Sequence, residues 1–175
     1  IHPAAHPEEV KALLKSKCIS ITAEDSHRYG SPNCEAAGKQ GALFGLESLL
    51  SINGGKGKFV NGLGGAPGVT ALVIGGGTVG RACAGVLHAL GAKVTVMDIN
   101  IGCLRDLGKQ FNEEIDTMIS NKYNLTKILP HTDVVYNCVR WPKDAKEFMI
   151  TREMVRSMEK GSVIVDISND YGCIE

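Results

Sequence analysis

A chain of 175 residues suits one domain, or one domain with a piece of another. Lys plus Arg and Asp plus Glu both number 19, so the formal charge is zero and gives no electrostatic case for nucleic acid or an anionic membrane surface. No apolar run reaches the length of a membrane span, which leaves a small organic ligand as the expected partner class.

In chain order, residues 7–17 read as a short amphipathic helix with Val10, Leu13 and Leu14 on one face. Cys18–Ala23 reads as a strand, and the stretch around Arg28–Pro32 as a turn. Ser31 before Pro32 suits a helix start with proline at its first position. A long helix is expected over 33–50. Its small residues Ala36, Ala37, Gly38, Gly41, Ala42 and Gly45 would let another element pack very close. Residues 53–68 are glycine-rich and read as a linker or glycine hairpin rather than a second phosphate loop.

From residue 71 a regular alternation begins. Strands are expected at Ala71–Ile74, Lys93–Asp98, Asp116–Ile119, Asp133–Val139 and Ser162–Ile167. Helices are expected between them at Val79–Leu90, Ile101–Phe111, Asn124–Leu129 and Thr151–Met158. Runs of Val and Ile without polar alternation suit parallel strands buried on both faces. The fold class is therefore α/β, a doubly wound parallel sheet preceded by a long helix.

The six cysteines, Cys18, Cys34, Cys83, Cys103, Cys138 and Cys173, include no Cys-x-x-Cys pair. They read as reduced thiols, which points to the cytoplasm. His6, His27, His88 and His131 show no ligand spacing, and no metal is expected. The chain begins at Ile1 rather than Met and ends directly after an apolar strand, so a fragment of a longer protein is expected.

Gly75-x-Gly77-x-x-Gly80 lies between an apolar strand and a helix, the context that gives the pattern its meaning. Gly75 permits the tight turn, Gly77 lets the backbone approach a pyrophosphate, and Gly80 lets the helix pack on the strand. The helix N-terminus presents unpaired N–H groups to phosphate. Asp98 ends the next strand, 18 residues beyond Gly80. Its carboxylate would accept ribose hydroxyls and repel a 2′-phosphate, so NAD is the expected cofactor of this Rossmann unit.

HPAAHPEEVKALL, PNCEAAGKQGA, VTVMDIN and GSVIVDISNDYGCIE together resemble segments of the alanine dehydrogenase family, which includes the NAD-binding part of proton-pumping transhydrogenase. The last segment is the most specific. The resemblance implies nicotinamide-dependent interconversion of a small amino acid with a 2-oxo acid and ammonia. It implies His2 as the residue handling the proton and Asp170 as the carboxylate beside the nicotinamide. Thr78 and Val79 would approach the pyrophosphate, Ser120 the adenine, and Val139, Arg140 and Ile167 the cofactor path. Residues 1–32 would be a remnant of a substrate domain, 33–50 an inter-domain helix, and 51–175 the NAD-binding domain. The family's substrate-binding Arg and Lys would lie upstream of Ile1, and the whole protein is expected to be a homo-oligomer.

The chain departs from the family pattern in three places. Cys34 replaces Ser, Arg140-Trp141-Pro142-Lys143-Asp144 replaces a small apolar run, and Tyr171 and Cys173 replace Gln and Gly. Trp141 either lines the pocket or covers the sheet edge. Of Asp166 and Asp170, both following the last strand, one would cap a turn while the other works. Beside the dehydrogenase stand two other readings, a regulatory nucleotide-binding module without turnover and a transhydrogenase NAD-binding subunit.

Overall fold

The computed structural model describes residues 7–21, 28, 30–142, 145–168 and 172–175. Five strands form one parallel sheet: β1 (Thr70–Ile74), β2 (Lys93–Asp98), β3 (Asp116–Ile119), β4 (Val134–Asn137) and β5 (Val163–Asp166). Their spatial order is β3-β2-β1-β4-β5. The central strand β1 pairs Ala71 with Val94 on one side and with Val134 on the other.

Alternate residues of β1 point to opposite faces, and each face carries its own core. Ala71 and Val73 join Val94, Val96, Val134 and Tyr136 under α3 (Thr78–Ala89) and α4 (Ile101–Gln110). Leu72 and Ile74 join Met97 and Val135 on the other face, beside Leu125 of α5 (Lys122–Ile128) and Met154 of α6 (Arg152–Arg156). The expected fold class is the observed one.

Helix starts follow local polar chemistry. Asn100 Oδ1 accepts from Gly102 and Cys103 N–H to open α4, and Asn121 Oδ1 accepts from Asn124 N–H to open α5. The long helix α2 (Pro32–Ser48) begins with Pro32 at its first position, as expected. Its buried face is Gly38, Gly41, Ala42 and Gly45, while Ala36 and Ala37 are exposed. A Cβ on Gly38 would stand 2.1 Å from the Val79 carbonyl oxygen, and one on Gly45 would stand 2.3 Å from the Tyr136 hydroxyl. That hydroxyl donates to the Ala42 carbonyl at 2.9 Å. The helix thus lies on both α3 and the sheet.

The expected strand at Cys18–Ala23 does not form over its described part. Residues 18–21 pair with no other strand, and Ile19 and Ile21 are exposed. An alternating apolar pattern suits a strand, but a ladder also needs a partner with free N–H and C=O groups. The helix α1 (Pro7–Ser16), expected from the amphipathic pattern, forms but buries no residue. Among the described residues, no helix is long and apolar enough to cross a membrane.

The glycine-rich stretch is anchored. Leu63 and Ala66 exchange backbone hydrogen bonds around Gly64-Gly65, forming a small hairpin turn. Before it, Lys56 and Lys58 reach the N-terminal edge of the sheet and bind the Asp133 carboxylate at 3.0 and 2.6 Å. Lys56 also binds Glu159 at 2.7 Å, while the N–H and hydroxyl of Thr70 both donate to Asp133 at 2.8 Å. Burial alone would raise the Asp133 carboxyl. The hydrogen bonds from Lys58, Thr70 and Lys56 outweigh it and hold the group at about 2, against an ordinary 3.8.

A carboxyl depressed in the folded state adds stability above its unfolded pKa and loses it as pH falls through the folded one. Between pH 4 and 2, unfolding free energy should therefore fall by about 2 kcal/mol from this group alone. Asp133→Asn should cost about 3 kcal/mol at neutral pH, because two lysines lose a buried partner, and should flatten that part of the profile. Urea melts of both proteins across this range check it.

Candidate functional site

Strand order reverses between β1 and β4, and in such sheets a crevice opens beyond the C-terminal strand ends at that point. The loop Gly75–Gly77 leaves β1 there and enters α3. Gly75 has φ +97°, a left-handed conformation that side chains resist. Its N–H donates to the Met97 carbonyl at 2.7 Å, and the Cys138 N–H donates to the Ile74 carbonyl at 2.8 Å, which draws three strand ends together. Gly80 sits in the first turn of α3, where a Cβ would stand 1.8 Å from the Gly75 carbonyl oxygen. A Cβ on Gly77 would meet nothing within 4 Å. Each glycine therefore has a separate reason: backbone conformation at 75, close packing at 80, and an open approach at 77.

Helix α3 starts at Thr78 with Gly77 as its N-cap, a residue with no side chain to occupy the first-turn amides. Those amides of Thr78, Val79 and Gly80 and the helix dipole make a favourable end for a phosphate. The Thr78 side chain packs beside Gly30, whose φ of +97° brings the turn before α2 against it.

Asp98 lies at the C-terminal end of β2, half-buried. Its Oδ2 accepts from Gly76 N–H at 2.7 Å and its Oδ1 from Asn100 N–H at 2.8 Å. Ser120 follows β3, and its N–H donates to the Asp98 carbonyl at 2.9 Å, so both residues stand at one end of the crevice. Cys103 of α4 lies under the loop, where burial and the neighbouring Asp98 charge push its thiol up against the pull of Arg81.

Val139 is half-buried after β4, with its N–H donating to Asn137 Oδ1 at 3.3 Å and its side chain beside Gly75. Arg140 is exposed next to it. Ile167 follows β5, and its side chain packs on α2 at Gly41. Fully buried Asn137 donates to Asp166 Oδ1 at 2.8 Å, so Asp166 ties β4 to β5. Trp141 covers the sheet: its indole packs on the apolar cluster around Leu72 and Ile74, and its N–H donates to the Glu147 carbonyl at 3.2 Å. His2, Asp170, Tyr171, Lys143 and Asp144 lie outside the described residues. Among the described residues, no group of three or more His, Cys, Asp or Glu is placed to hold a metal ion.

The structure thus brings Gly75, Gly77, Thr78, Val79, Gly80, Asp98 and Ser120 to one edge, with Val139 and Arg140 across from them. Sequence reasoning overlooked Gly76, Asn100 and Asn137. Asn100 carried a usable signal, an Asn directly before an amphipathic helix.

A family model described as alanine dehydrogenase/PNT, C-terminal domain, matches residues 41–175. The chain belongs to this family. It is 38% identical to an alanine dehydrogenase of Geobacillus stearothermophilus over 99% of this chain and 48% of that protein. It is 34% identical to one of Methanococcus maripaludis over 98% of this chain and 48% of that protein. Among solved structures, an L-alanine dehydrogenase superposes with TM-score 0.86 at 29% identity, covering 99% of this chain and 50% of the other. A transhydrogenase from Sinorhizobium meliloti superposes at 0.68 with 18% identity over 100% and 53%, a likeness of fold alone. The chain spans about half the length of the curated relatives it matches.

Gly80→Ala should destabilise the fold by roughly 3 kcal/mol, since its Cβ meets backbone that cannot turn aside. Gly77→Ala should cost no more than about 1 kcal/mol, the usual price of alanine at an N-cap. Thermal unfolding of the two variants separates the packing glycine from the open one.

Proposed function

We propose that this chain is the NAD-binding half of an NAD-dependent amino-acid dehydrogenase of the alanine dehydrogenase type. The whole protein would deaminate L-alanine or a related small amino acid oxidatively to a 2-oxo acid and ammonia. The observation that carries the reading is the Asp98 carboxylate, pinned beside an open Gly77 at the C-terminal edge of the sheet. Family membership and the similarity to alanine dehydrogenases support it.

The residues present fit NAD. Each oxygen of Asp98 accepts one backbone N–H and keeps acceptor capacity for a ribose hydroxyl. The backbone of Gly75, Gly77 and Gly80 and the first-turn amides of Thr78 and Val79 would hold the pyrophosphate. Ser120 would border the adenine, and Val139, Arg140 and Ile167 the remaining path. When bound, the nicotinamide supplies the hydride acceptor. Among this chain's own residues, His2 would take the proton from the substrate, a task suited to a group that titrates near neutral pH. Asp170 would stabilise the positive charge developing at the substrate's carbon–nitrogen bond.

Asp98 should make NADH bind more tightly than NADPH, because a 2′-phosphate would meet a carboxylate at close range. Asp98→Ala should weaken NADH binding by on the order of 1.5–3 kcal/mol, the value of charge-assisted hydrogen bonds. Fluorescence titration with both nucleotides measures this, and tighter binding of NADPH to the unmodified protein would count against the site.

Incubating the full-length protein with NAD and a panel of amino acids, and following NADH, tests the activity. Turnover of alanine or a similar small amino acid is expected. A full-length protein that binds NAD and oxidises none of them would point to a binding module instead. Residues 1–175 alone should bind NAD saturably yet oxidise no amino acid, because the relatives are about twice as long and catalysis needs every group held in productive geometry.

A further inference from the structure

The middle residue of the glycine loop has a task that its neighbours do not share. Gly76 N–H and Asn100 N–H each hold one oxygen of Asp98, at 2.7 and 2.8 Å, which fixes how the carboxylate faces the crevice. Gly76 is itself held from behind. A Cβ on Gly76 would stand 2.7 Å from Cys103 Sγ and 2.8 Å from Leu107 Cδ1, so no side chain fits there while Cys103 occupies that space. The Cys103 thiol donates to the Gly76 carbonyl at 3.2 Å, and its own N–H is held by Asn100 Oδ1 at 3.3 Å. Arg81 of α3 reaches the same sulfur at 3.6 Å. One side chain thereby connects the loop, α3 and the first turn of α4. The upward push on this thiol keeps it protonated, and so a donor, at neutral pH.

We propose that Gly76 and Cys103 are a positioning pair for nucleotide selection: Cys103 packs behind Gly76 and holds its carbonyl, keeping residue 76 placed with its N–H aimed at Asp98, so that the carboxylate faces a ribose diol and opposes a 2′-phosphate. The pair rests on the NAD site proposed above and identifies what sets its selectivity. Cys103 acts through Gly76 and Asp98, not on the nucleotide itself.

The test uses the full-length protein, unmodified and as Cys103→Ala and Cys103→Ser, titrated with NADH and with NADPH. Exchange of the Gly76 amide with solvent is measured by NMR in the absence of nucleotide. Cys103→Ala should reduce the preference for NADH about tenfold, equivalent to loss of one hydrogen-bonded constraint, and should speed exchange of the Gly76 amide. Cys103→Ser keeps a donor of similar shape and should restore both. An NADH preference unchanged in Cys103→Ala, or an equal loss of both nucleotides, would overturn the positioning role and leave the NAD site standing. An unmodified protein that binds neither nucleotide would overturn the NAD site and the pair together.

Discussion

The separation between α3 and β1 is fixed by a missing methyl group. With a Cβ position 1.8 Å from the Gly75 carbonyl, Gly80 lets helix backbone rest on loop backbone. The same contact is repeated on the other flank, where Gly38 of α2 stands on the carbonyl of Val79. The first turn of α3 is therefore clasped between two glycines, each contacting main chain rather than an adjustable side chain. Main chain in a packed interior yields little, so the direction of the first-turn amides is set by the fold and not by the loop alone. The crevice inherits its shape from that clasp.

Polar chemistry is concentrated at the two edges of the sheet. At the N-terminal edge, Asp133 gathers two lysines and Thr70, and nearly all its acceptor capacity is used within the protein. At the C-terminal edge, Asp98 accepts one backbone N–H on each oxygen and retains acceptor capacity on both. Asp166 is tied to Asn137 across β4 and β5. The satisfied carboxylate supports the architecture, and the other keeps the acceptor capacity on which the proposed nucleotide site rests. Between Asp133 and Asp98, the difference lies in how many donors the fold has already supplied.

The sheet was legible because parallel strands covered on both faces leave unbroken apolar runs, as in Ala71–Ile74 and Val134–Tyr136. The glycine fingerprint was legible because its demands are local. Long-range partners were not. The small residues of α2 announced a close approach, but nothing in them named Val79 or Tyr136. Lys56 and Lys58 were hidden in a stretch that reads as linker, since a lysine's partner is chosen by the fold and not by its neighbours in sequence. Residues 18–21 show the opposite failure, a good local pattern without a ladder to join. His2 and Asp170 were read only through resemblance to relatives, and no packing or hydrogen-bond pattern of their own contributed.

The bond from Tyr136 to Ala42 joins residues 94 positions apart, and the ion pairs of Lys56 reach 77 and 103 positions along the chain. Such contacts reward the chain only after a long loop has been closed, which slows folding relative to a protein built from neighbours. During synthesis α2 and the glycine-rich stretch emerge before the strands that will hold them. Most of the seat of α2 is α3, and it is complete only once β4 and β5 have joined β1, because Tyr136 and Ile167 lie beneath Gly45 and Gly41. Completion of the α2 seat on the sheet thus depends on late-arriving strands. Until it occurs, the sheet face beneath α2 is open to other chains, and the interval is set by how quickly a central strand finds its place.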